Sequence, residues 1–135
     1  KIIKDKFPKI NLSFREDSAH YYNLLNKSKI ILCTSDFTNF KQTFIVNHPT
    51  ILLWDRDYFS VRKSASKYYK LLYDNQILHY DPLSCAEFIN NIYDNPLLWW
   101  NSKDVQEAKN LFMKEFCNKS NDLEGNFVKL VNGLK

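Results

Sequence analysis

Apolar positions along this chain follow two spacings that take turns. Between a polar lead-in and a polar tail, short apolar runs alternate with longer segments whose apolar residues recur every three or four positions. That is the pattern of βα units assembled on a parallel sheet. KINLSF (9–14) is apolar at Ile10, Leu12 and Phe14 and predicts a half-buried strand. DSAHYYNLLNKS (17–28) predicts a helix with Tyr21, Leu24 and Leu25 on its inner stripe, and KIILCT (29–34) a strand covered on both faces. TNFKQTFIV (38–46) predicts a short helix with Phe40, Phe44 and Ile45 on one side; Pro49 closes it and TILLW (50–54) is a second buried strand.

SVRKSASKYYKLLYDN (60–75) predicts a helix with Val61, Ala65, Tyr68, Tyr69 and Leu72 inward, followed by a short strand, ILHY (77–80). PLSCAEFINNIYDN (82–95) reads as a helix with proline in its first turn. PLLWW (96–100) reads as a linker with anchors, in which one tryptophan packs in the core and the other bridges to a neighbouring element. SKDVQEAKNLFMKEFCNK (102–119) is a long helix with Val105, Ala108, Leu111, Phe112 and Phe116 at core spacing, and GNFVKLVNGL (125–134) closes the chain as a further helix.

Composition narrows this to one compact α/β unit: 135 residues, 44% apolar and 16% aromatic, fill one core and not two. The net charge of +4 is spread over helix faces and not clustered, so no nucleic-acid partner is expected. Cys33, Cys85 and Cys117 are widely spaced, in no metal-ligand pattern, and read as free thiols of a reducing compartment. With no apolar run of bilayer length the chain is expected in the cytoplasm, peripheral membrane association staying open, and no metal or other cofactor is expected.

The chemistry-bearing stretch is the polar loop Ser35–Asn39 between two buried runs. In a parallel sheet such a loop lies outside a strand's carboxyl end, where a helix N-terminus offers free N–H groups to a phosphate. Ser35, Asp36, Thr38 and Asn39 add short polar groups there. Ordinary capping is the alternative, since Asn39 and Gln42 have capping-box spacing and Asp36 or Thr38 could cap instead. No glycine-rich phosphate loop is present. Asp55, Arg56 and Asp57 follow the second buried strand; Arg62 reads either as a phosphate fork or as an ion-pair partner of Asp55 or Asp57. His48 reads as a donor-group contact or as a surface or backbone-bonded histidine.

Asn47, Pro49, Thr50, Trp54, Asp55, Arg62, Ala65, Ile77, His79 and Ala86, followed by the run Trp99–Gln106, then Ala108 and Phe116, occur in an order and spacing that resembles the carboxyl-terminal part of a family of bacterial surface-carbohydrate transferases. That family is similar in turn to CDP-glycerol glycerophosphotransferases and other two-domain GT-B glycosyltransferases. The resemblance implies a Rossmann-like carboxyl-terminal domain of a longer enzyme, binding a nucleotide-activated sugar or polyol phosphate. Its other partner would be its own amino-terminal domain, which would supply the catalytic base. It lays the family's hydroxyl loop on Phe37, Thr38 and Asn39 and its acidic position on Gln42, and with the residue reading above the expected donor-binding set is Ser35, Asp36, Thr38, Asn39, Gln42, His48, Asp55 and Arg62. Asn39 stands where the family has a hydroxyl and Gln42 where it has an acid. A non-catalytic interaction or regulatory module with a degenerate nucleotide site is therefore the alternative.

Overall fold

The computed structural model describes residues 2–10, 18–36 and 38–117. In order along the chain these form helices α1 (Ile2–Lys6) and α2 (Ser18–Lys27), strand β1 (Ile31–Cys33), α3 (Thr38–Ile45), β2 (Thr50–Leu53), α4 (Ser66–Asp74) and β3 (Leu78–His79), then helices α5 (Pro82–Ile92), α6 (Pro96–Trp100) and α7 (Lys103–Phe116). The three strands lie in the order β1-β2-β3, all parallel, with Cys33 opposite Leu52 and Leu52 opposite Leu78. The architecture is therefore α/β, a parallel sheet flanked by helices.

Parallel neighbours need a crossover between them, and α3 and α4 supply the two. Both helices pack on the sheet and on α7. Beneath them Leu52, Leu72, Ile77, Leu78 and Trp100 form the core with Phe40, Phe44 and Phe112. Ile51, which alternation sends to the opposite face of β2, is also fully buried. The middle strand is thus covered on both sides, as its unbroken apolar sequence predicts.

Elsewhere the structure departs from the pattern. Leu32 of β1 stays 45% exposed, because β1 pairs with β2 alone among the described residues and its outer side lacks the cover that an inner strand has. Leu24 of α2 and Leu111 of α7 are exposed, while Leu25, Val105, Ala108 and Phe112 take the inner positions. The helix expected from Ser60 starts at Ser66, the run 96–100 is a short helix and not a bare linker, and the polar lead-in contains α1. Of the strand expected at 9–14, Lys9 and Ile10 are not in strand and 11–14 lie outside the described residues, as do the expected helix 125–134 and the end of the one expected at 102–119.

Both of the chain's glycines lie beyond residue 124, so the two left-handed positions among the described residues are taken by other residues, Asn47 at φ 54° and Gln76 at φ 61°. Each closes a crossover helix in the same way. At the end of α3, Asn47 N–H donates to the Phe44 carbonyl and His48 N–H to that of Thr43. At the end of α4, Gln76 N–H donates to Tyr73 and Ile77 N–H to Leu72. These paired bonds satisfy carbonyls that a helix end would otherwise leave open, and they reverse the chain into the next strand.

Gln76 also holds His79. The ring is buried at the end of β3, Nε2 lies 2.9 Å from the Gln76 carbonyl oxygen, and Phe88 packs on it at 5.2 Å. Facing an acceptor, Nε2 carries the ring's proton. Burial lowers the pKa below the ordinary 6.5, outweighing the upward pull of the Gln76 carbonyl. The unfolded chain therefore takes up this proton first, and its contribution to stability, complete above 6.5, is lost as pH falls through the interval below that value. Urea midpoints at pH 7.5 and 5.5 should fall less for His79→Leu than for the wild type; an equal fall would show that His79 is not the group responsible.

Candidate functional site

The three strands point their carboxyl ends at one edge. Thr34 follows β1, Trp54 and Asp55 follow β2, and Tyr80 follows β3. With Tyr58, Phe59 and Pro82 they line a cavity of about 600 Å³. A neighbouring cavity of about 230 Å³ shares Trp54 and Phe59 and is bounded by Asp36, Arg62, Tyr69 and Phe116. The two form one cleft along the rim where open parallel sheets bind ligands.

The wall on the β2 side is a folded loop. Asp55 accepts the Asp57 N–H at 2.9 Å, and its carbonyl accepts from Tyr58 and Phe59 at 3.2 and 3.0 Å. This turn presents Arg56, whose guanidinium lies 4.3 Å from the centre of the Tyr80 ring, with Tyr73 packed on Tyr80 at 5.6 Å. A second turn, closed by Ala65 N–H donating to the Arg62 carbonyl at 2.9 Å, delays α4 and leaves Arg62 exposed at the cleft. Neither arginine has a carboxylate within ion-pair distance among the described residues, where the surface pair Lys70–Asp74 is the one salt bridge found. The expected alternative for Arg62, a pair with Asp55 or Asp57, does not form.

The wall on the β1 side carries the start of α3. Ser35 is half-buried, while Asp36, Thr38 and Asn39 are exposed. The cleft senses Asp36: the Tyr69 hydroxyl is pushed up first by burial and next by the Asp36 charge. Gln42 sits one turn into α3, and its side-chain oxygen is buried without a hydrogen-bond partner.

At the floor, Trp54 is 2% exposed and packed among Phe40, Phe59 and Tyr69 at 5.5–5.7 Å. Its indole N–H has no acceptor among the described residues. A buried donor left open costs about 1–3 kcal/mol, and native proteins seldom keep one. Cys33, at the end of β1, is no nucleophile, because burial pushes its thiol up to about 11 and leaves scarcely any thiolate near neutrality. The described residues contain no group of three or more His, Cys, Asp or Glu placed to hold a metal ion. No helix among them is long and apolar enough to cross a membrane.

His48 lies away from this rim. It leads into the amino end of β2, with its ring nitrogens 3.1 Å from the Pro49 carbonyl and 2.9 Å from that of Ser28, and so ties β2 to the end of α2.

The motif residues Asn47, Trp100 and Gln106 meet at this opposite end too. Trp100, fully buried, donates its indole N–H to the Asn47 carbonyl at 2.9 Å and to Oδ1 at 3.2 Å. Gln106 donates to the Trp100 carbonyl at 2.6 Å and accepts from Lys109 Nζ at 2.8 Å, while Lys109 also donates to Asn47 Oδ1. Trp99 bridges outward, its indole N–H reaching the Asn75 carbonyl at 3.2 Å. The double tryptophan thus fastens α6 and α7 to the ends of both crossover helices.

Pattern reading passed over Trp54, Tyr58, Tyr80 and Lys109. The aromatics had a signal, since Trp54 and Tyr80 end predicted strand segments on the side where ligands bind. Lys109 had one as well: it follows Val105 by four and precedes Phe112 by three, a lysine on a helix's buried stripe.

No curated protein and no solved structure matches this chain. A family model described as LIC12162 family transferase matches residues 1–131. That span takes in every described element, the strand-end cleft and the Asn47–Trp100–Lys109 network, and the chain belongs to the LIC12162 family of transferases.

Proposed function

We propose that the strand-end cleft binds a nucleotide-activated sugar or polyol phosphate, and that this chain is the donor-binding, GT-B-like half of a cytoplasmic transferase in bacterial surface-polysaccharide synthesis. One observation carries the reading: Arg62, without an ion-pair partner among the described residues, opens on a cavity at the carboxyl ends of parallel strands, beside Asp36 and Trp54. Donor phosphates would sit between the Arg62 fork and the N–H groups and hydroxyl at the start of α3, with Thr38 and Asn39. Tyr58 and Phe59 offer faces for the base or sugar, Asp36 and Asp55 accept hydroxyls, and Ser35 and Gln42 stand behind them. Fixed donors of this kind stabilise charge gathering on a leaving diphosphate. The acceptor and the general base would come from another domain, so this chain alone would bind donor without turning it over. His48, at the far end of β2, has no part in this arrangement.

Calorimetric titration with CDP, UDP, GDP and CMP should give saturable binding to one or more of them. Arg62→Ala should weaken it about 10–100-fold, the worth of one charge-assisted contact at roughly 1.5–3 kcal/mol. Lys70→Ala should change nothing. A folded chain that answers to no nucleotide would favour the non-catalytic module, and unchanged affinity in Arg62→Ala would remove that residue from the site.

A further inference from the structure

Lys109 is a buried cation with no anion beside it among the described residues. It is 6% exposed, and its ammonium meets two neutral carboxamide oxygens, those of Asn47 and Gln106, with the Trp100 ring centre 5.7 Å away. Buried charges in proteins are ordinarily paired. Burial here pushes the ammonium's pKa down from its usual range.

Beside it opens a cavity of about 390 Å³, lined by Phe44, Asn47, Lys109, Asn110, Met113 and Lys114 together with Ile45 and Cys117. None of the described residues that line it carries a carboxylate, and the Lys41 charge is near enough to lower the Cys117 thiol against the larger effect of burial. Asn47 Oδ1 accepts from both Trp100 and Lys109, which fixes the carboxamide and leaves its NH₂ free to donate. Three of the carbonyls at the end of α3 are already taken: Gln42 by Val46 N–H, Thr43 by His48 and Phe44 by Asn47. What remains around the cavity is an excess of donors and of positive charge.

We propose that this cavity is an oxyanion site that takes a phosphate-bearing ligand, at the amino end of β2 and separate from the strand-end cleft. The ligand completes the third N–H of Lys109 and is held by Lys114 and the amides of Asn47 and Asn110. Donors converging from α7 and from the turn after α3 suit a tetrahedral phosphate better than a planar carboxylate.

The test is a chemical-shift titration of the whole chain with inorganic phosphate, and with acetate in parallel, at fixed ionic strength because surface lysines respond to salt alone. Phosphate should give saturable shifts centred on residues 44–47 and 109–114, and acetate should bind at least about tenfold more weakly. Asn47→Asp places a carboxylate on Lys109 from within while keeping the acceptor, so the variant should fold, as judged by circular dichroism, and lose phosphate affinity by about tenfold or more. Lys114→Ala should weaken binding and Arg62→Ala should leave it unchanged. Unsaturated shifts spread over surface lysines, a response confined to 34–39 and 54–62, acetate binding as tightly as phosphate, or wild-type affinity in folded Asn47→Asp would each overturn the proposal. Failure of nucleotides to bind the strand-end cleft would leave it standing.

Discussion

Replacing Phe112 by alanine is expected to cost about 3–5 kcal/mol, a large share of the roughly 5–15 kcal/mol that holds a domain of this size together. The ring is fully buried and meets Phe40 at 5.9 Å, Phe44 at 6.1 Å, Tyr69 at 5.2 Å and Phe116 at 4.7 Å. It is the point at which α7 grips α3 and α4 together. Close-packed aromatics on three helices cannot collapse into the gap without moving a helix, so the cavity cost stays close to its maximum. Leu111→Ala, one residue earlier and 40% exposed, should change stability by only about 0.5 kcal/mol. Urea unfolding of the two variants measures the difference directly. Equal losses would mean that α7 does not dock as described.

The loss would extend to the cleft. Thr38 begins α3, Ser66 begins α4 just after the Arg62 turn, and both helices are held against the sheet by α7. A Phe112 variant that stays folded at low temperature should therefore also bind nucleotide more weakly, although its side chain lines neither cavity of the cleft.

The features legible in the sequence were those governed by local periodicity. The stripe Val105, Ala108, Phe112 placed α7, the run Thr50–Leu53 placed β2, and Pro82 after Asp81 marked the start of α5, where Asp81 accepts the Ser84 N–H at 2.7 Å. Periodicity misled where a segment serves the cleft. Val61 and Ala65 continue the apolar stripe of Tyr68, Tyr69 and Leu72, yet residues 61–65 are outside the helix because Arg62 closes a turn there. Leu32 looked like an inner-strand residue because sequence carries no mark of which strand lies at the edge. The Asn47 network was out of reach for another reason: its partners stand 53 and 62 residues away, and no window spans them. The motif residues could be picked out, but their task of joining a helix end to α6 and α7 became visible only in three dimensions. Trp54 shows the converse, a residue legible as core whose unpaired N–H appears only once its neighbours are in place.

Asn47 combines two demands that substitutions can separate. Its φ of 54° favours glycine or asparagine, and its Oδ1 is one of two acceptors for a buried ammonium. Asn47→Gly keeps the backbone geometry and removes the acceptor, so it should cost about 1–3 kcal/mol, the cost of a polar group left short of a partner. Trp100 limits that cost, since its N–H still has the residue 47 carbonyl at 2.9 Å. Asn47→Ala removes the acceptor and also puts in the left-handed region a residue that tolerates it less well than glycine or asparagine, adding about 1–2 kcal/mol. Asn47→Asp keeps both features and replaces a neutral acceptor by a charged one, so it should match or exceed the wild type, with a gain that diminishes in high salt. The expected order of stability in urea is Asp at or above Asn, then Gly, then Ala. The gap between Gly and Ala reads the backbone strain, and the gap between Asn and Gly reads the acceptor. If Ala equals Gly, the left-handed position costs alanine nothing and the strain is absent. If Gly equals Asn, Lys109 does not depend on this oxygen, and the link from the end of α3 to α7 runs through Trp100 alone.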